Sequence, residues 1–365
     1  MSTQRRIYLD FNATAPLIPA ARDAMVEAMG DVGNPSSVHA EGRRMRDRVE
    51  RARNQVAGLV GRPREDIIFT SGGTEANWLG VMALAAAAEA RGLPRIVATT
   101  PIEHPSLRGP IDALKARGWD IAMLDRITNT DIGIAAFAAV NHELGTIEEF
   151  LGTANTYRQH EVLVHIDAVQ AAGKLSIAEM SADSIAISAH KIGGPQGIGA
   201  LAIAVDEQLP ITVGGHQERG RRPGTENTLG IIGFGVAAAA VDLSRLAHTK
   251  QLGEHLEAGL RAIAGVRIHG ADRARVGTTI NAGFSGALGE SIVMSLDLEG
   301  IAVSTGAACT SGSIQPSAVL LGLGFSADEA REAVRFSLGP TTTEGEIKAV
   351  LAVLPGVVER ARRHR

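Results

Sequence analysis

The segment Ile67-Ile-Phe-Thr-Ser-Gly-Gly-Thr-Glu-Ala-Asn77 decides the fold class, because it has the pattern of a strand, a turn of small residues and the start of a helix. An Ala-rich helical stretch from Leu79 to Ala90 follows it. Glycines let the backbone approach a ligand closely, and a new helix directs free N–H groups at an anion. The segment therefore suggests a phosphate cup, with the Thr74 hydroxyl as a further donor. An ordinary turn between a strand and a helix explains the same residues equally well.

Other apolar runs alternate with helical patterns between about residues 40 and 250. The strand candidates are Ile67–Thr70, Ile96–Thr99, Ile134–Val140, Leu163–Asp167, Ser184–Ser188 and Ala200–Val205. They are apolar throughout, as strands buried on both faces should be. This pattern predicts an α/β fold with a mostly parallel sheet and helices on both faces.

The pattern of predicted helices and strands changes beyond residue 250, where helices and short strands follow one another in the order of an α+β domain. The last helix is preceded by Thr343 and Glu346, spaced as a capping box. We expect a large α/β domain over residues 16–250. A smaller α+β domain is expected to combine residues 1–15 with residues 251–365.

The composition excludes several function classes. A hydrophobic fraction of 45% beside 21% charged residues indicates a globular chain with a large core. The formal net charge of −4 and the 3% of aromatic residues argue against a nucleic-acid partner or an acidic membrane surface. Cys309 is the single cysteine, so an internal disulfide framework and a multi-cysteine metal site are excluded, and the scattered histidines show no metal-ligand spacing.

The N-terminal segment has no apolar core of the kind that a secretory signal requires. The longest uncharged apolar stretch runs from Thr228 to Val241, which is shorter than the roughly 18 residues of a membrane span. We therefore expect a cytoplasmic protein without a membrane partner.

Charged residues close two of the apolar strand candidates. Asp167 ends Leu163-Val-His-Ile-Asp167, and Lys191 follows Ser184-Ile-Ala-Ile-Ser188-Ala-His190. The carboxyl ends of strands in an open sheet line the usual ligand crevice, and a lysine there can act as a covalent nucleophile. With a phosphate cup added, this carboxylate and this lysine are the groups that pyridoxal phosphate requires. A structural ion pair between the two residues is the alternative.

Two glycine patterns resemble dinucleotide-binding fingerprints but lie in the wrong context. The pattern that begins at Gly197 runs into a strand rather than a helix, and the pattern that begins at Gly233 lies inside an Ala-rich helical run. We interpret the second pattern as a site of tight helix packing and do not expect a nicotinamide cofactor.

Several longer blocks occur in a fixed order along nearly the whole chain. They are Tyr8-Leu-Asp-Phe-Asn-Ala-Thr14, Gly33-Asn-Pro-Ser-Ser-Val-His39, Ser71-Gly-Gly-Thr-Glu75, Glu103-His-Pro105, Asp167-Ala-Val-Gln170, His190-Lys-Ile-Gly-Gly-Pro195, Gly214-Gly-His-Gln-Glu-Arg-Gly-Arg-Arg-Pro-Gly-Thr-Glu-Asn227, Gly306-Ala-Ala-Cys-Thr-Ser311 and Arg335-Phe-Ser-Leu-Gly339. In these blocks the chain resembles the NifS/IscS-like cysteine desulfurases, which belong to the class V branch of the fold-type I pyridoxal-phosphate enzymes. The block that ends at Asn227 is particularly specific.

The resemblance implies a pyridoxal-phosphate site in which Lys191 would hold the cofactor covalently and take part in catalysis. Asp167 would bind the ring nitrogen and Gln170 the ring hydroxyl, while His104 would stack on the ring and assist catalysis. The phosphate would be held by Gly73, Thr74, Ser188 and His190. Thr225 would reach the cofactor phosphate of a neighbouring subunit, so a homodimer is also implied.

The resemblance also implies a substrate and a nucleophile. Arg335 would pair with the carboxylate of L-cysteine, a bidentate task that suits a guanidinium group. A single cysteine is more often a small buried residue than a nucleophile, but Cys309 lies in a polar, Gly-bearing stretch. Its thiolate would take the sulfur of L-cysteine as a persulfide and release L-alanine. The sulfur would then pass to an acceptor such as an iron–sulfur scaffold or a thiolation protein.

The chain departs from the family pattern at three places. His142, in Asn141-His142-Glu143, stands where the family usually has an asparagine that touches the ring hydroxyl and the substrate; an imidazole can also donate a hydrogen bond there. Phe11 replaces a usual asparagine, and the segment 124–134 is shorter than expected. A selenocysteine lyase, another C–S lyase or a class V transaminase therefore stays open, as does a non-catalytic sulfur-relay scaffold.

Overall fold

The computed structural model describes residues 6–124, 131–204, 214–306 and 315–363. In chain order the strands are β1 (Ile7–Tyr8), β2 (Ile67–Thr70), β3 (Ile96–Thr99), β4 (Asp120–Met123), β5 (Ile134–Ala138), β6 (Leu163–Asp167), β7 (Ser184–Ser188), β8 (Gly199–Ile203), β9 (Val266–Ile268), β10 (Thr279–Phe284), β11 (Ile301–Ala302) and β12 (Ala333–Ser337). The helices are α1 (Pro19–Met29), α2 (Ala40–Val60), α3 (Gly73–Ala90), α4 (Pro105–Ala116), α5 (Ala154–Gln159), α6 (Thr228–Ala239), α7 (Leu246–Arg261), α8 (Gly289–Leu298), α9 (Ala318–Gly322), α10 (Ala327–Arg331) and α11 (Glu344–Arg363).

The chain divides into two compact units. The larger unit comprises Ala15–Ala139 and Glu148–Val241, and the smaller unit comprises Met1–Thr14, Val140–Ile147 and Asp242–Arg365. The expected boundaries differ from this division at residue 15 and at residues 140–147 and 242–250. Residues 140–147 join the smaller unit through backbone hydrogen bonds, from the N–H of Ile147 to the carbonyl of Ala274 (2.8 Å) and from the N–H of Val276 to the carbonyl of Gly145 (2.9 Å).

A seven-stranded sheet forms the centre of the larger unit, in the order β2-β8-β7-β6-β5-β3-β4. β8 is antiparallel to both of its neighbours, and all other pairs are parallel. The prediction of a mostly parallel α/β sheet is confirmed. The six predicted strands are all present, whereas β4 at the sheet edge was not predicted because its residues are partly exposed and not uniformly apolar.

Helices cover the two faces of this sheet. Ile68 of β2 packs into a core built with α3 and α4, while its neighbour Phe69 points to the other face and contacts Phe234 of α6, with ring centroids 6.4 Å apart. α6 approaches α2 so closely that a Cβ placed on Gly235 would lie 2.6 Å from the Cα of Ala52. The glycines of α6 therefore allow helix packing.

The smaller unit contains a three-stranded antiparallel sheet, β12-β10-β9, and the parallel pair β1-β11. Its core includes Phe284 and Phe336 from the sheet and Leu354 from α11. The predicted capping box is formed before α11, since the N–H of Glu346 donates to Thr343 Oγ1 (3.3 Å) and the N–H of Thr343 donates to Glu346 Oε2 (2.8 Å). In the described part of the chain no single helix is long and apolar enough to cross a membrane, and the one candidate pair, Thr228–Ala239 with Leu243–Arg261, is bent at its break.

Candidate active site

The predicted cofactor residues of the larger unit gather at the carboxyl edge of the sheet. Asp167 is the last residue of β6, and the parallel neighbour β7 ends at Ser188. A short 3₁₀ turn after Ser188 contains His190 and Lys191. The chemistry-bearing side chains are thus placed by the ends of two adjacent parallel strands, where open α/β sheets bind ligands.

The helix start that carries the predicted phosphate cup packs closely against residues at the ends of β6 and β7. A Cβ placed on Gly73 would lie 2.7 Å from Val169 Cγ2 and 3.6 Å from Ser188 Cβ, so only glycine lets the helix start this close to the strand ends. The first N–H groups of α3 have no partners within the helix, and the Thr74 hydroxyl adds a donor beside them. These donors suit a phosphate group.

His190 is neutral at ordinary pH. Burial lowers its pKa to about 4, and the positive charge of Lys191 acts in the same direction. A neutral imidazole beside a lysine can donate one hydrogen bond to a phosphate without adding a second charge. The Ser188 hydroxyl is buried next to it.

The carboxyl group of Asp167 is buried and receives two hydrogen bonds. The N–H of Val169 donates to Oδ1 (2.9 Å), and the Asn77 amide donates to Oδ2 (2.7 Å). Burial raises the pKa of Asp167, while these two hydrogen bonds and the positive charge of Lys191 oppose that rise. A buried carboxylate held in this way is fitted to pair with the protonated nitrogen of a pyridine ring.

His104 and Gln170 lie on segments that follow strands β3 and β6. His104 is the N-cap of α4, and its Nδ1 accepts a hydrogen bond from the N–H of Ser106 (3.1 Å). Gln170 is buried and accepts a hydrogen bond from Lys174 Nζ (2.7 Å) through its Oε1. Their predicted contacts with the cofactor ring stay predictions.

Thr225 is exposed, and the segment that carries it is anchored by a buried ion pair. The Glu218 carboxylate accepts hydrogen bonds from both terminal nitrogens of Arg53 (2.7 and 2.8 Å) and from the N–H of Phe69 (3.0 Å). Glu218 and Arg219 have φ angles of 48° and 59°, a left-handed conformation that non-glycine residues adopt only when their surroundings hold them. The block that looked most specific in the sequence is thus fixed to α2 and β2.

The smaller unit places Arg335 and His142 side by side. Arg335 forms a partly buried ion pair with Asp10 (2.8 Å) and donates to the carbonyl oxygen of His142 (3.0 Å), while its Nε is buried without a hydrogen-bond partner among the described residues. The Asn12 amide donates to the same carbonyl (3.1 Å). Position 142 therefore contributes its backbone here, and the His142 ring lies 3.6 Å from the Glu143 carboxylate.

Two buried carboxyl groups, Glu103 in the larger unit and Glu143 in the smaller unit, were missed by the sequence analysis. Glu103 accepts hydrogen bonds from Thr100 Oγ1 (2.6 Å) and the N–H of Ala138 (3.0 Å); burial, reinforced by the charge of Asp167, raises its pKa to about 8. Burial also raises the pKa of Glu143. Both glutamates lie within blocks that had already been singled out, which is the pattern that could have identified them.

Two predicted features lie outside the described residues. Cys309 belongs to residues 307–314, and most of the shortened segment belongs to residues 125–130. The other predicted site residues fall into two groups, with Arg335 and His142 in the smaller unit and the remainder in the larger unit.

Comparisons with known proteins agree with this geometry. The family model for aminotransferase class-V matches residues 7–350. The chain is 35% identical to the cysteine desulfurase IscS of Dictyoglomus turgidum, with 98% of this chain and 96% of that protein covered. It is 38% identical to cysteine desulfurase 2 of Trichormus variabilis, with 98% and 94% covered. Among solved structures it is similar to a NifS-like protein (TM-score 0.87, 29% identity, 97% of this chain and 100% of that chain) and to a NifS-like protein from Rickettsia africae (TM-score 0.84, 29% identity, 97% and 100%).

Proposed function

Since the chain belongs to the aminotransferase class-V family, we propose that it is a pyridoxal-phosphate-dependent cysteine desulfurase. The observation that carries the proposal is the grouping of a buried carboxylate, a lysine and a glycine-lined cup at one edge of the sheet. Asp167 would hold the ring nitrogen, and Lys191 would hold the cofactor covalently. The phosphate would be held by Gly73, Thr74, Ser188 and His190.

Pyridoxal phosphate, once bound, supplies an electron sink that makes the α-proton of an amino acid removable. Lys191 Nζ moves the proton at the substrate Cα as a general acid–base group. Arg335 binds the substrate carboxylate through the N–H groups of its guanidinium that are not donated to Asp10 and the His142 carbonyl. Its buried Nε is the hydrogen-bond donor that the described residues leave without a partner.

Cys309 takes the sulfur in this proposal. Its thiolate attacks the sulfur of L-cysteine, the bond from that sulfur to Cβ breaks, and the new S–S bond leaves a persulfide on the protein. Cβ gains a proton, and the organic product is L-alanine. Because the chain has no second cysteine, the sulfur leaves for an outside acceptor. We propose an iron–sulfur scaffold or a thiolation protein as that acceptor, a homodimeric state and a cytoplasmic location.

The proposal is tested by incubating the pyridoxal-phosphate-loaded protein with L-cysteine. With one equivalent of L-cysteine per chain and no added reductant, we expect about one alanine per chain and a gain of one sulfur atom on the Cys309 peptide by mass spectrometry. A thiol reductant should release sulfide and permit continued turnover. A protein that takes up no pyridoxal phosphate would contradict the proposal in favour of a sulfur-relay scaffold. Faster turnover of selenocysteine than of cysteine would contradict it in favour of a selenocysteine lyase.

Arg335→Lys is expected to raise the KM for cysteine about 10- to 100-fold, with a smaller change in kcat. A hydrogen bond to a charged group contributes roughly 1.5–3 kcal/mol, and a lysine cannot serve Asp10, the His142 carbonyl and a carboxylate together. Initial rates of alanine formation at varied cysteine concentrations give both constants. Arg331→Lys, the same change on the surface of α10, is the matched control. An unchanged KM in Arg335→Lys would remove Arg335 from the substrate site.

A further inference from the structure

A continuous chain of buried polar groups runs beneath the cofactor residues of the larger unit. His165, in the middle of β6, lies 2.7 Å from Ser184 Oγ through Nδ1 and 3.0 Å from Asn77 Oδ1 through Nε2. The Asn77 amide nitrogen lies 2.7 Å from Asp167 Oδ2 and 3.0 Å from Ser106 Oγ. His165 and Asn77 are fully buried, so neither can exchange these partners for water.

The direction of the hydrogen bonds follows from counting hydrogens at Asn77. An ionised Asp167 can only accept, so the amide nitrogen of Asn77 must face it. That nitrogen donates its two hydrogens to Asp167 and to Ser106. The amide oxygen of Asn77 then needs a donor, and among the described residues Nε2 of His165 lies 3.0 Å away to supply it.

His165 can donate in only one way. Burial lowers its pKa to about 3, so the ring is neutral and carries a single N–H. With that hydrogen on Nε2, Nδ1 accepts from the Ser184 hydroxyl. The site is shaped for this ring, because a Cβ on Gly80 of α3 would lie 2.6 Å from its Cε1 and Nδ1 atoms.

The other end of the chain reaches His104. Ser106 Oγ accepts from Asn77, so its own hydrogen goes to His104 Nδ1, 2.8 Å away. The N–H of Ser106 points at the same nitrogen (3.1 Å). With two donors facing Nδ1, the proton of a neutral His104 ring sits on Nε2.

We propose that His165 and Asn77 are positioning residues that direct hydrogens toward Asp167 and Ser106 and thereby fix the His104 ring with its proton on Nε2. Asn77 thus fixes both the hydrogen bond that Asp167 accepts and, through Ser106, the tautomer of His104, the two groups that would face the cofactor. The inference rests on the proposed function for the identity of the ligand beside Asp167. The direction of the hydrogen bonds does not depend on that ligand.

The first test compares His165→Leu with His165→Gln in the pyridoxal-phosphate-loaded protein. Glutamine can present an amide N–H near the position of Nε2, whereas leucine has no donor. Without the His165 N–H, the Asn77 amide is no longer held with its nitrogen toward Asp167. A carboxylate that loses a donated hydrogen bond has a raised pKa. In His165→Leu we therefore expect the midpoint of the pH-dependent absorbance of the bound cofactor to move upward by about one pH unit. His165→Gln should keep the wild-type midpoint. His160→Gln, the same change at an exposed position, is the control.

The second test measures the wild-type protein itself, and variants serve only to assign its signals. In the ¹⁵N-histidine NMR spectrum of the wild-type protein, before and after cofactor loading, His165 and His104 should both show the pattern of a proton on Nε2. The signals are assigned by their loss in His165→Gln and His104→Gln. A proton on Nδ1 of His165, or equal midpoints in the leucine and glutamine variants, would overturn the inference. Failure of the proposed function would differ, since the protein would form no alanine while the histidine pattern remained.

Discussion

Replacement of Cys309 by alanine is expected to abolish alanine formation from L-cysteine while leaving the yellow absorbance of bound pyridoxal phosphate. Replacement of Lys191 by alanine is expected to abolish alanine formation and to remove the absorbance of the covalently held cofactor. The two variants thus separate sulfur transfer from cofactor binding. For each we expect activity to fall by at least about 10³-fold, since the loss removes a nucleophile or a proton-transfer group.

The structure explains why Lys191 should have this double role. It follows the end of β7 in a short turn, and its positive charge contributes both to the lowered pKa of His190 and to the opposed rise in the pKa of Asp167. No other lysine ends a strand of the central sheet within the described residues. Alanine at position 191 leaves the cup and Asp167 in place, so the phosphate can still bind, but no covalent link can form.

The measurement combines a visible spectrum with an assay of alanine for each variant. Lys115→Ala, the same change at an exposed position in the last turn of α4, controls for the loss of one lysine and should retain full absorbance and activity. Sustained activity in Cys309→Ala would point to a lyase that needs no protein thiol. Yellow absorbance and activity in Lys191→Ala would exclude Lys191 as the covalent anchor.

The central strands of the larger unit could be predicted from the sequence because they are buried on both faces. Such strands form nearly continuous apolar runs, whereas surface segments do not. Edge strand β4 lacks that run, and it was missed. A helix was predicted after the small-residue turn, but its first residue was not: α3 begins at Gly73, six residues before the Ala-rich stretch. Gly73 is present because the helix start packs closely against Val169 and Ser188. Helix propensity, which is low for glycine, does not predict such a start.

The positions of Asp167 and Lys191 at the ends of strands could be predicted because their charge interrupts an apolar pattern. Their partners were not found, because those contacts join residues far apart in the chain. Asn77 meets Asp167 across 90 positions, and Asn12 meets the carbonyl of His142 across 130. The assignment of residues 140–147 to the smaller unit likewise depends on long-range backbone hydrogen bonds. The resemblance named the residues that are proposed to touch a ligand, and only the structure identified the groups that hold them.

We expect the free energy of unfolding of the larger unit to fall as the pH rises, because Glu103 loses its proton. Glu103→Gln is expected to remove this dependence on pH. The pKa of Glu103 is about 8 in the folded protein against a reference of 4.5, and burial is the main cause. Between these values the folded state binds one proton more than the unfolded state. The free energy of unfolding therefore falls as pH rises, by about 1.4 kcal/mol per unit, and the contribution is fully present only below pH 4.5.

From about pH 6 to about pH 8.5 the wild-type protein should thus lose about 3 kcal/mol of unfolding free energy relative to Glu103→Gln. Glutamine stays neutral and can keep both hydrogen bonds, accepting from the N–H of Ala138 and donating to the Thr100 hydroxyl. Urea unfolding followed by tryptophan fluorescence reports on the correct unit, because Trp78 and Trp119, the two tryptophans, both lie in the larger unit.

Asp120→Asn removes an exposed carboxylate on β4 of the same unit and should keep the wild-type dependence on pH, because that group is hydrated before and after unfolding. A parallel loss of stability in wild type and Glu103→Gln would show that Glu103 is ionised in the folded protein throughout this range. The expected divergence would instead show that Glu103 is protonated at neutral pH. Asp167 would then be the carboxylate that carries the negative charge at this edge of the sheet, and a second negative charge would not compete for the ring nitrogen.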